Sequence, residues 1–581
     1  MTGPRPEPSF DIHDIPFSHY GSWFGISPVT GPRRTEPDLH LVSHQTGMHA
    51  VLALRPLTGG GDRADTRVEA GASMLSWTGA SGRIDLVYQA PDTIRLRGDG
   101  LALRIAAAAP VLTPFSGTYL YRDPVDGAHV FTSYETGRRY RVTVLSGRID
   151  GATGAEALGE ADRGVTIAPG PGRWEIAIEE YEAGRPPYRV AATFEQAAAT
   201  AGAAFAAFLD TVAPWRGERT PAAELAAYVL WSATVRPAGL VTRPAVLMSK
   251  HWMDKVWSWD HCFNALALAG GRPDLAWDQY HLVFDHQDAA GALPDSVTHS
   301  EVLYNFVKPP IHGWAVNALR AIPPGLTGVD VTETYRRLEH WTRYWLELRR
   351  VPGSEFAHYH HGNDSGWDNA TTFDNRRVVE TADLAAFLVL QMRELAALAP
   401  LAGKPDAADG WYALADRMLA AMVDQLWTGT RFAARPAGAG PASPGHRAGT
   451  SLLELMPIVL GELLPPEIHT ALAARIADHL TMHGPATEPP SSPRYEADGY
   501  WRGPIWAPST VLIEDGLRRA GHTRLADEIS HRFRTLCETS GFAENFDALT
   551  GQGQRDRAYT WTASAYLILA AAAERRRTRR R

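Results

Sequence analysis

Cysteine and lysine are scarce in this 581-residue chain. Two thiols, Cys262 and Cys537, cannot build a disulfide framework and fit a reducing compartment. No uninterrupted apolar run approaches the ~20 residues that a spanning helix needs. The N-terminal segment MTGPRPEPSFDIHDIPFSHY lacks the basic stretch and apolar run of a secretory signal. The expectation is a cytoplasmic protein with no membrane partner. Acidic residues outnumber basic ones 65 to 57, for a formal charge of −8, so no positive field is available to hold nucleic acid. With 45% hydrophobic and 21% charged residues, the chain is neither disordered nor a coiled coil. At ~150 residues per domain it has material for two to four domains.

Among the 57 basic residues only Lys250, Lys255, Lys308 and Lys404 are lysines, so each retained lysine hints at a need. Tryptophan, by contrast, is plentiful. Of 18, only Trp23, Trp77 and Trp174 precede residue 205, and the rest crowd the last two-thirds. Indole suits flat apolar ligands as well as cores.

The chain reads as α+β and multidomain. Residues 1–190 show short alternating runs such as AVLALRPL, RIDLVYQA and WEIAIEEY, broken by Gly, Pro and Asp, which predict an antiparallel β-sandwich. An Ala-rich helical linker follows at 191–219. From 220 to 575 the period is helical, with segments near 223–237, 260–270, 273–289, 310–321, 332–351, 378–399, 406–427, 450–462, 466–483, 504–520, 523–540 and 558–575. Short and long connections alternate. That pattern describes six helical hairpins, an (α/α)6 barrel, with every long loop at one mouth. A basic tail, 576–581, closes the chain.

The long loops carry the chemistry. The first holds SKHWMDKVWSWDHCFNA, with Trp252, Trp257, Trp259 and Asp260; the second holds LPDSVTHSEVLYNFVKPP, with Asp295 and Lys308. The third holds HYHHGNDSGWDNATTFDNR, with Trp367, Asp368 and Asp374. The fifth holds YEADGYWRGPIW, with Trp501, Arg502 and Trp506; the sixth holds GFAENFDALTGQGQRDRAYTW, with Glu544 and Trp561. The fourth, near 428–449, is bland and reads as a flexible rim. Aromatic plates beside carboxylates suit a sugar ring, which has one apolar face and a rim of hydroxyls. Glycosidic cleavage also needs two carboxyl groups, one protonated and one ionised.

At VWSWDHCFNA, GALPD, KPPIHGW, SGWDNATTFD, YWRGPIW and AENFDALTG followed by YTWTA, the sequence resembles the inverting six-hairpin glycosidases. Among these it resembles glycoside hydrolase family 63 and, more distantly, trehalase. The matches keep family order over roughly residues 240–566. The resemblance implies Asp368 as general acid and Glu544 as general base, acting on an α-glycoside of glucose or mannose without a covalent intermediate. It places Trp257, Trp259, Asp260, Trp367, Trp501, Arg502 and Trp506 in the terminal-sugar pocket. One departure is Asp364 before Ser365, where many relatives carry Glu.

Plainer readings stand beside these. Asp368 can be a loop or capping aspartate, and Asp260 an N-cap for the helix that follows it. Arg502 can be a structural ion-pair arginine, and Lys308 and Lys255 helix-end charges. Lys308 and Trp561 are otherwise pocket candidates. Trp231, Trp277, Trp314, Trp341, Trp345, Trp411 and Trp427 fall in helices and read as core. The histidines of HYHH lack helical i, i+4 spacing and partner ligands, and read as loop residues rather than zinc ligands. No cofactor or catalytic metal is called for. The expected function is an inverting exo-acting glycoside hydrolase on a disaccharide, oligosaccharide or glycosylglycerate. A phosphate-dependent phosphorylase and a non-catalytic sugar-binding protein are the rivals.

Overall fold

A computed structural model describes residues 7–155, 157–168, 172–374, 377–439 and 449–580. It divides into two compact units. One comprises residues 1–214, 227–255 and 298–300; the other comprises 215–226, 256–297 and 301–581. Among the described residues no helix is long and apolar enough to cross a membrane.

The first unit contains the antiparallel β-sandwich. A six-stranded sheet runs in the order Phe24–Gly31, Arg34–Ser43, His49–Leu57, Ala102–Ala107, Gly164–Ala168 and Arg148–Thr153. An eight-stranded sheet runs Thr66–Ala70, Leu75–Gly79, Gly82–Ala90, Thr93–Asp99, Trp174–Tyr181, Arg139–Ser146, His129–Ser133 and Thr118–Arg122. Alternation sends Leu39, Leu41, Leu52 and Leu54 from one sheet, and Ile84, Leu86, Ile94 and Leu96 from the other, into one core. One rare lysine finds its reason here: the buried Lys250 ammonium donates to Ser18 Oγ at 2.9 Å and to Ser22 O at 2.7 Å.

The second unit holds the (α/α)6 barrel. Its six inner helical segments are Asp260–Leu268, His312–Ala321, Ala382–Leu398, Leu452–Leu463, Ala507–Arg519 and Thr560–Arg580. Each packs on the next, and Thr560–Arg580 returns to pack on Asp260–Leu268, so the ring closes. Inner and outer helices differ in the way their sequences dictate. Ala382–Leu398 is buried on nearly every side. Its outer partner Ala408–Leu426 buries a single stripe, Trp411, Ala415, Met418, Met422 and Leu426.

Several sequence expectations are revised. The segment near 450–462 is a 3-10 stretch, because Pro457 lacks the N–H an α-helix needs and Gly461 leaves helical geometry at φ +59°. The helix near 332–351 ends as α at Arg343 and continues as a π turn, Tyr344–Leu348. The arginines of the tail prolong the last helix to Arg580 instead of fraying from it. Trp427 is half-buried and packs on Phe432, outside the core assigned to it. The rim reading of the fourth loop falls partly on residues 440–448, outside the described residues.

Two glycines let inner helices touch backbone to backbone. A Cβ on Gly313 would stand 2.4 Å from Gln391 Cα, and one on Gly516 would stand 2.3 Å from Ile458 O. Gly313→Ala and Gly516→Ala must each push neighbouring helices apart. Each is expected to cost ~1–3 kcal/mol, read as a lower denaturant midpoint.

Candidate active site

The long loops deliver their residues just ahead of the inner helices. Asp260 is the first residue of its helix, after Trp259 in the N-cap position, and makes no side-chain cap. Its carboxyl is buried, and its Oδ2 has no hydrogen-bond partner. Burial pushes its pKa up to about 8, against the pull of the Lys308 ammonium. The capping alternative is therefore not the geometry adopted.

Lys308 is the charge about which this half of the site is organised. Its Nζ lies 3.2 Å from Asp295 Oδ1 and 3.9 Å from Asp368 Oδ1, and donates to Asn363 O at 3.0 Å. Burial works against its charge, yet Asp368, Asp295 and Asp260 together hold the ammonium above its ordinary pKa. Burial raises Asp368 and Lys308 opposes that rise. The Asp368 side chain keeps 29% of its surface exposed, so it can reach a ligand.

The third loop is fixed by Asp364, the aspartate in the family's usual glutamate position. Its carboxylate accepts from Val307 N (3.1 Å), His360 N (2.8 Å) and Arg349 Nη1 (3.0 Å). The short side chain thereby ties the third loop to the residue before Lys308. Gly366 adopts φ +73°, and any Cβ there would stand 2.6 Å from the Trp259 ring. That glycine lets the loop lie against the indole.

Asn369 bridges to the fifth loop. Its Nδ2 donates to Gly499 O and its Oδ1 accepts from Trp501 N, both at 3.0 Å. Arg502 Nε donates to Asn369 O at 3.0 Å, and its guanidinium pairs with Asp374. Arg502 is thus engaged as a brace between loops. Tyr500, in the left-handed region at φ +64°, has its carbonyl held by the Trp506 indole N–H at 2.8 Å.

The indoles form a continuous wall. Trp501 and Trp506 stack at 4.1 Å, Trp367 lies 4.7 Å from Trp501, and Trp561 stands edge-on to Trp259 and Trp506. Trp257 is half-buried, on a two-residue strand paired with Ser296–Val297.

Glu544 is buried at 1% exposure, and the Tyr500 hydroxyl lies against its carboxyl. Its own N–H donates to Asp556 O at 2.7 Å. The Trp561 indole donates to its carbonyl at 3.4 Å. Burial, then the charge of Asp556, push its pKa up to about 8. Tyr500 connects the two halves: burial raises its phenol pKa, and the charges of Glu544 and Asp368 both add to the rise. One phenol therefore lies within the field of both carboxyls assigned from sequence.

Asp295, Asn369, Tyr500 and Asp556 were not singled out as site residues. Asp295 had a signal as a carboxylate in the quoted GALPD; Asn369 and Tyr500 sat unremarked inside GWDN and YWRGPIW. Trp252 and Lys255 belong to the sandwich-containing unit. Asp547 serves its own turn, accepting from Leu549 N and Thr550 N.

The family described as mannosylglycerate hydrolase MGH1-like glycoside hydrolase domain matches residues 253–562. A mannosylglycerate hydrolase of Rubrobacter radiotolerans is 25% identical over 420 residues, covering 57% of this chain and 92% of that protein. The GH63 mannosylglycerate hydrolase of Thermus thermophilus, solved in complex with glucose, aligns with a TM-score of 0.51 at 20% identity. That alignment covers 59% of this chain and 98% of the other. A bacterial glucoamylase complexed with acarbose aligns with a TM-score of 0.64 at 12% identity, over 99% of this chain and 96% of the other. At these identities both structures bear on the fold alone.

Because Asn369 satisfies two backbone groups of the fifth loop, Asn369→Ala leaves both without their partner. A stability loss of ~1–3 kcal/mol is expected by chemical denaturation. A change within about ±0.3 kcal/mol would show that the bridge is replaced by solvent.

Proposed function

The chain belongs to the MGH1-like glycoside hydrolase family, and on that premise we propose that it hydrolyses a glycosylglycerate. It would release a terminal α-glucosyl or α-mannosyl unit with inversion, Asp368 acting as general acid and Glu544 as general base. The observation that carries this reading is the pair of carboxyls themselves. Asp368 is partly exposed beside an ammonium, Glu544 is buried against the Tyr500 hydroxyl, and that phenol feels the charge of both.

The step follows from these groups. Asp368 gives its proton to the glycosidic oxygen as the bond from that oxygen to the anomeric carbon breaks. A water attacks that carbon from the opposite face and passes a proton to Glu544. The products are a free hexose of inverted configuration and glycerate. Lys308 stabilises the Asp368 carboxylate that the proton leaves behind. The indole wall takes the apolar face of the sugar, and Asp260 accepts from its hydroxyls. Arg502 is matched to Asp374, so it meets a glycerate carboxylate only by exchanging that partner. The same pairing, with Lys308 facing Asp295, weighs against a ready phosphate pocket and hence against phosphorolysis. Two buried free thiols fit work in the cytoplasm.

The test is a panel of α-mannosylglycerate, α-glucosylglycerate and α-linked disaccharides, with NMR of the first-formed anomer. The β-hexose is expected first, at a rate indifferent to inorganic phosphate. First appearance of the α-anomer would overturn inversion, and inert glycosylglycerates would overturn the substrate class. Asp368→Asn and Glu544→Ala should each lower kcat by ~10²–10⁴ with the fold retained.

The pH dependence has a definite sign. Glu544 must be ionised, so kcat/KM rises with pH through its ionisation. Asp368 must be protonated, so kcat/KM falls as pH passes its raised pKa. Lys308→Met removes the charge that holds Asp368 down and should move the limb that Asp368 sets to higher pH. Asp556→Asn removes a charge that pushes Glu544 up and should move the limb that Glu544 sets to lower pH.

A further inference from the structure

His358 and His360 flank Tyr359 in the HYHH run. Tyr359 is fully buried, pairs with Val379, and donates its hydroxyl to Asp383 Oδ2 at 3.0 Å. In extended backbone successive side chains alternate, so anchoring Tyr359 in the core turns both neighbouring histidines to the opposite side. His358 is half-buried and His360 exposed. Their Nε2 atoms share a hydrogen bond at 3.2 Å, with ring centroids 5.1 Å apart, so an ion bound between them would replace the shared proton.

The backbone beneath them is held at both positions. His358 N donates to Arg349 O and His360 N donates to Asp364 Oδ2, each at 2.8 Å. The buried Nδ1 of His358 has no hydrogen-bond partner, so this imidazole is incompletely satisfied. Two imidazole nitrogens bound ~2.0–2.1 Å from one zinc ion, at angles of ~90–110°, lie ~2.9–3.4 Å apart. The observed separation falls inside that interval. The Arg349 charge opposes a cation here, and the carboxylates of Asp364 and Glu380 favour one.

We propose that His358 and His360 form an exchangeable site for a divalent late-transition ion, completed by water, and that its occupancy slows hydrolysis. Two protein ligands fit loose binding, because no group of three or more His, Cys, Asp or Glu suited to a metal occurs among the described residues. The link to turnover is a chain of bonds. Asp364 receives the N–H of His360 and that of Val307, next to Lys308, whose ammonium faces Asp368. An ion that holds His360 acts on the same bonded loop that carries Asp368.

Zinc titrated calorimetrically into the full chain carrying His469→Ala tests the site. That substitution removes a second facing pair, His469 Nδ1 and His522 Nε2, 2.9 Å apart on outer helices. One saturable site is expected, weakened ~10-fold or more when His360→Ala is added. Glycoside hydrolysis by the His469→Ala chain should fall with zinc at the same half-point, and the double variant should resist. No saturation below ~100 μM, or binding indifferent to His360→Ala, overturns the site. Binding that leaves turnover unchanged overturns the brake. The calorimetry needs no turnover, so a wrong substrate assignment would not be mistaken for a missing site.

Discussion

One buried ammonium carries more of this site than any other group. Asp260, Asp295 and Asp368 surround Lys308, and their charges hold its buried ammonium above its ordinary pKa. The ammonium divides their behaviour. Asp295 takes it at 3.2 Å, Asp368 stands farther off and partly exposed, and Asp260 is driven by burial toward its neutral form. Three residues of one chemical type thus stand in different settings around one ammonium, set by distance and solvent.

The scaffold keeps that arrangement by tying loops to one another more than by packing each against its own helix. Asp364 joins the third loop to the second through Val307, and Asn369 joins it to the fifth through Trp501. Arg502 and Asp374 repeat that second tie with charge. The sixth loop is held through main-chain groups: the Glu544 N–H meets Asp556, and Ile505 and Phe546 exchange hydrogen bonds. The Glu544 side chain lies outside these ties and meets the Tyr500 hydroxyl.

The fold was legible in the sequence where physics is local. A single apolar stripe on Ala408–Leu426 and an all-apolar Ala382–Leu398 announce outer and inner helices, and alternating loop lengths announce hairpins. Legibility failed where one residue overrides the period, as Pro457 and Gly461 do. At the site, Asp368 and Glu544 could be placed through their motifs. Asn369 and Tyr500 could not, since each matters through a partner that is remote in sequence or through backbone strain at φ +64°. Arg502 showed its charge but not Asp374, 128 positions away.

Each inner helical segment begins just after a long loop, so all six point the same way. Their peptide dipoles are therefore parallel, and parallel neighbours in a ring repel. The positive ends of all six gather at the mouth, where Asp260, Asp295, Asp368 and Glu544 also gather. Acidic side chains that would burden an ordinary interior here offset the field of the barrel's own backbone. The fold has an electrically asymmetric axis before any reaction is asked of it, and carboxyl chemistry is the kind that this end of the axis admits at least cost.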